Sequence, residues 1–66
     1  MDNIYDLKRQ LGWTQDCIEM VLHRRKLILH GLEDTATIKQ CDMVLGALAV
    51  DEQDIRNDIE RIEELD

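Results

Sequence analysis

The chain has no proline, no phenylalanine, three glycines and only Trp13 and Tyr5 as aromatic residues. Strands draw on aromatic and β-branched residues in alternation, and this sequence, rich instead in Leu, Ile, Glu, Asp and Gln, lacks that pattern. Strand architectures are therefore excluded in favour of an all-α fold. No apolar run approaches the roughly 18 residues of a membrane span, and the N-terminus MDNIYDLKRQ is too polar for a signal peptide, so a cytoplasmic protein is expected. Two cysteines, Cys17 and Cys41, are too few and too far apart for a disulfide framework. Together with His23 and His30 they offer no CxxC or HxxxH spacing, so no metal and no cofactor are expected. There is no Gly-rich phosphate loop, no Ser/His/Asp or Cys/His arrangement and no framed acid pair. An enzyme with a small-molecule substrate is not expected.

What the sequence does contain is charge, unevenly placed. Residues 51–66 carry eight acids against two bases, a net of −6, whereas residues 1–50 carry seven acids against six bases, a net of −1. The only basic run is Arg24, Arg25 and Lys26. At 66 residues the chain is a single domain near the size at which one core stabilises by about 3–5 kcal/mol, so a homodimer is a reasonable expectation. The organisation expected for 1–66 is a core over 1–50 followed by an acidic amphipathic helix over 51–66.

Local signals cut the chain into short helices. Ile4, Leu7 and Leu11 lead to Gly12, a stop for a helix begun at an Asp2 cap. Thr14 then caps the next helix, with Trp13 and Ile18 spaced as a hydrophobic staple and Asp16 in the first turn. Asp34 or Thr35 can cap a helix carrying Ile38, Cys41, Val44, Leu45 and Leu48, and Asp51 can cap the last. That last helix holds Ile55, Ile59, Ile62 and Leu65 in a narrow seam, read as a partner or dimer interface or as a lid on the core.

Residues 14–32 decide the fold. Taken as one helix, their apolar residues cover an arc of about 220° with Arg24 and Arg25 inside it. A guanidinium on a buried face needs a partner or a route to water. A turn at His23–Arg25 would instead place both arginines at a helix start on the surface. The sequence therefore predicts five helices, near 3–11, 14–22, 25–32, 36–48 and 51–65, with a turn at His23–Arg25.

The segment LKRQLGWTQ resembles the opening of the lambda repressor-like (Xre/Cro) helix-turn-helix domain: Ile4, Leu7, Gly12, Thr14 and Gln15 fit it. Ile18 and Leu22 fall at the apolar positions of that family's second helix, and Leu29, Leu32 and Glu33 at those of the third. TIKQCDMVLGALAVDEQDI is similar to its fourth and fifth helices. The resemblance implies a small DNA-binding regulator of the phage-repressor or antitoxin type, presenting Arg24, Arg25, Lys26 and His30 to DNA, with Thr14 and Gln15 at phosphate. The net charge of −7, Glu19 where the family's helices cross, and Leu27 and Ile28 on the would-be recognition helix favour a second reading. In it the protein is an antirepressor or inhibitor that binds a regulatory protein through its acidic surface. A helical-bundle subunit with a structural role is the third.

Overall fold

Asn3 begins the first helix: its side-chain carbonyl accepts the Tyr5 amide at 2.9 Å, and Asp6 lies in the first turn, facing the positive end of the helix dipole. From there the chain runs helical without interruption over Ile4–Leu29, helix α1. It stops at Gly31, whose φ of 72° lies in the left-handed region that glycine adopts without steric cost. The Gly31 amide donates to the Ile28 carbonyl at 3.0 Å and the Leu32 amide to the Leu27 carbonyl at 2.9 Å, the paired bonds of a Schellman motif. Helix α2 spans Ile38–Glu64. Its start is a capping box in which the Gln40 amide donates to the Thr37 hydroxyl (3.1 Å) and the Thr37 amide to the Gln40 side chain (2.9 Å). The computed structural model describes residues 3–65, and within them these two helices form an antiparallel hairpin, a rod of 50 × 16 × 16 Å.

The all-α expectation holds; the expectation of five helices is corrected to two long ones. Gly12, Thr14, His23 and Asp51, expected at helix ends, are all interior. No non-glycine residue among those described has a positive φ, and the turn expected at His23–Arg25 is absent, all three residues being helical. Asp2, expected as a cap, lies outside the described residues. At the second helix start the cap is Thr37, not Asp34 or Thr35.

The reason for continuity is a heptad seam that crosses every expected break. In α1, Ile4, Leu7, Leu11, Thr14, Ile18, Val21, Arg25 and Ile28 recur at alternating spacings of three and four, and each is buried or half-buried. In α2 the same alternation runs through Ile38, Cys41, Leu45, Leu48, Glu52, Ile55, Ile59 and Ile62, again all buried or half-buried. A break at Gly12 would take Leu7 and Leu11 out of line with Ile18, and one at His23 would do the same to Val21 and Ile28. It would also strand amides and carbonyls that the continuous helix satisfies. Gly12 costs about 1 kcal/mol relative to Ala inside a helix, too little to outweigh the seam.

The conflict at Arg24 and Arg25 is resolved by ion pairs rather than by a turn. Arg25 stands on the seam and its Nε donates to Asp42 Oδ1 at 2.9 Å, with a third of the arginine side chain exposed. Arg24, on the flank, reaches Glu33 Oε1 at 3.3 Å. Both stems lie along the hairpin while the charged heads meet carboxylates near water. Counting outward from the Arg25–Asp42 bond along two antiparallel helices brings Ile4 about level with Ile62, Leu7 with Ile59, Leu11 with Ile55, Thr14 with Glu52, Ile18 with Leu48 and Val21 with Leu45. Leu7, Cys41 and Ile59 are the buried apolar residues of this seam.

Candidate interaction surface

The hairpin assembles few of the residues expected to contact DNA. Thr14 lies on the seam, its hydroxyl donating to the Gln10 carbonyl at 2.9 Å, and Gln15 is half-buried beside it in the middle of α1. Neither stands at a helix N-terminus, so neither has free amides beside it to meet a phosphate. Arg24, Arg25 and Lys26 are successive residues of one helix and project about 100° apart, over some 200° of its circumference. Two of the three already hold carboxylates. His30 is the exposed C-cap of α1. The basic run is thus gathered at the loop end of the rod without forming one face.

Of the residues expected at a dimer or partner interface, Ile55, Ile59 and Ile62 face α1 in the seam, and Ile59 is buried. Leu65 is outside it, exposed, at the C-cap of α2. These isoleucines serve the alternative role read from the sequence, closing the core.

The fold keeps the charge at one end of the rod. The hairpin lays 49–65 beside 3–17, and that free end holds nine acids (Asp6, Asp16, Asp51, Glu52, Asp54, Asp58, Glu60, Glu63, Glu64) against Lys8, Arg9, Arg56 and Arg61, a net of −5. The loop half, 18–48, holds four acids and four bases, a net of zero. Arg56 is committed to Glu52 at 3.6 Å within its own helix, and Gln53 donates to Asn57 at 3.0 Å. A shallow groove at this end is lined by Leu11, Gln53, Arg56, Ile59, Glu60, Glu63 and Glu64, apolar at its floor and mostly acidic at its rim.

A second surface was not anticipated. Trp13, Cys17, Met20, Arg24 and Leu27 repeat at spacings of four and three, one residue out of step with the seam, and so lie along one flank of α1. Cys17, Met20, Val21 and Arg24 meet Val44 and Leu48 of α2 in an apolar groove between the helices. Trp13 (62%) and Met20 (69%) are among the most exposed large apolar side chains. The signal was present in the sequence: Cys17, Met20 and Leu27 of this stripe belong, beside the seam, to the broad apolar arc of residues 14–32, too wide for one interface.

Both cysteines are free thiols, Cys17 exposed and Cys41 buried. Among the described residues no three His, Cys, Asp or Glu side chains are grouped to hold a metal ion, and no helix is long and apolar enough to cross a membrane. The chain matches no family model, no curated protein and no solved structure.

Proposed function

We propose that the hairpin is a protein-binding regulator whose acidic free end engages the basic surface of a regulatory protein, as an antirepressor or inhibitor occupies the DNA-binding face of its partner. The observation that carries this reading is the segregation of charge, −5 at the free end and zero in the loop half. Helix α2 supplies all of this excess, seven acids against Arg56 and Arg61 over 49–65, and a predominantly negative field of that kind steers a basic partner and fixes its orientation. The apolar floor of the groove at Leu11 and Ile59 adds contact area beneath the charged rim.

A DNA-binding regulator, the reading implied by the resemblance, has less support. The segment RKLILHGLE divides between the end of α1 and its Gly31 stop and forms no separate recognition helix. Arg24 and Arg25 would have to leave Glu33 and Asp42 to reach phosphates.

The test is competition. A DNA-binding protein encoded beside this chain is bound to its labelled operator, and the hairpin is titrated in while anisotropy is followed. Displacement is expected, with no affinity of the hairpin itself for DNA at low salt. Neutralising Asp54, Asp58, Glu60 and Glu63 to their amides is expected to weaken displacement at least tenfold, since rim charges contribute mostly through steering and register. Direct DNA binding, with log K falling against log salt at a slope near −3 to −5, would restore the regulator reading instead.

A further inference from the structure

One edge of the rod serves neither the seam nor the acidic end. It consists of Cys17, Met20 and Leu27 of α1 with Val44 and Ala47 of α2, and at its centre is the apolar groove described above. Followed toward the free end, the α2 positions equivalent to Val44 and Ala47 are taken by Asp51, Asp54 and Asp58. The edge is therefore apolar but for Arg24 in the loop half and mostly acidic beyond it, with Arg61 at its far end.

We infer that this edge pairs with the same edge of a second copy, antiparallel, about a two-fold axis crossing at Met20, so that residues 11–29 of each α1 overlap and the last turns of each free end project beyond the contact. The elongated rod has surface to give to such a partner. The rod exposes 5329 Å², whereas a folded monomer of its 7.8 kDa presents about 4,400 Å². The excess of roughly 900 Å² is close to the area of about 800 Å² that each partner gives to a standard interface.

Charge selects the arrangement. Two copies side by side in parallel would superimpose their −5 free ends. Antiparallel copies in full overlap would press Asp51, Asp54 and Asp58 of each onto the apolar groove of the other, burying carboxylates without partners. The staggered antiparallel arrangement sets the two apolar grooves on each other, moves Asp51 off the groove to the height of Arg24 of the other copy and carries Asp58 beyond the overlap.

The register then falls into place by symmetry. Leu27 lies seven residues loopward of Met20 and Trp13 seven residues toward the free end, so the axis brings Leu27 of one copy level with the exposed Trp13 of the other. Arg24, four residues loopward, comes level with residue 16 of the second copy. Because Thr14 is level with Glu52 in each hairpin, Asp51 of that copy stands at the same height on the same edge. Arg24, its side chain 57% exposed, thus meets an opposite charge across the interface while keeping Glu33. The contact is isologous and closed, as a two-fold dimer requires.

This pairing draws on Trp13 and Asp51 at the inner edge of the acidic end, leaves Glu60, Glu63 and Glu64 outside the contact, and stands whether or not that end binds a partner. Sedimentation equilibrium of the full chain is expected to give twice the 7.8 kDa chain mass. Met20→Asp is expected to give a monomer with undiminished helical circular dichroism, because Met20 is exposed in the isolated hairpin, whereas Leu22→Asp on the opposite flank should leave the dimer intact. For the register, Trp13→Cys and Leu27→Cys are combined with Cys17→Ser and oxidised mildly. These positions are about 21 Å apart within one helix, far beyond the ~7 Å between Cα atoms that a disulfide spans, so any 13-to-27 bond must join two chains. Peptide mapping is expected to find that bond. A wild-type chain that sediments as a monomer at millimolar concentration, a dimer that survives Met20→Asp, or cross-links joining position 13 to position 13 would each overturn the proposal.

Discussion

Ile59→Asp is expected to unfold the chain, with loss of the helical circular dichroism signal at 25 °C. Ile59 is 8% exposed and about level with Leu7, at 4%, both in the buried seam. Removing its side chain from the seam forfeits about 1.5–3 kcal/mol of burial. A carboxylate in its place must also be desolvated against Leu7, at a further cost of several kcal/mol or by shifting its protonation. A domain of this size holds about 3–5 kcal/mol in total, so the sum exceeds what is available. Asn57→Asp, two residues away on the exposed face, adds the same charge and should leave the helices intact. A folded monomer from Ile59→Asp would show instead that Ile59 faces a second chain.

The opposite result is expected from Thr14→Leu combined with Glu52→Leu. These polar side chains sit level with each other in the seam, each half-buried, between the apolar pairs Leu11/Ile55 and Ile18/Leu48. Burying two leucines about halfway contributes roughly 2–3 kcal/mol, against about 0.3–0.5 kcal/mol lost with the Glu52–Arg56 pair. Thermal unfolding should rise by about 8 °C or more, at ~4–8 °C per kcal/mol for a small domain. The sign is diagnostic. Were Thr14 a helix N-cap, its replacement by Leu would cost about 1 kcal/mol rather than stabilise.

These two substitutions also mark what the sequence made legible. The helical class followed from composition, and the seam through Ile55, Ile59 and Ile62 from spacing alone. The continuity of α1 did not, because two of its eight seam positions are Thr14 and Arg25, which interrupt the apolar repeat where Gly12 and His23 offer plausible ends. The contact that makes Arg25 tolerable, its bond to Asp42, spans seventeen residues and lies beyond any local window. Gly31 and Thr37 are sound end signals that the resemblance to a helix-turn-helix led elsewhere, assigning Gly31 to a recognition helix. The apolar edge at Met20 was hidden for a different reason: its stripe abuts the seam, and periodicity alone cannot divide one wide apolar arc into an intramolecular face and a free one.

Everything above depends on α1 passing unbroken through Leu22–Lys26, and assigned backbone chemical shifts of the wild-type chain in solution test that most directly. Two continuous helices give uninterrupted helical Cα shifts from Asp16 through Leu29, with His23, Arg24 and Arg25 no different from their neighbours and the first departure at Gly31. Shifts that fall to coil values at His23–Arg25, with a new helix start following them, would contradict the hairpin and with it the seam, the acidic end and the dimer edge.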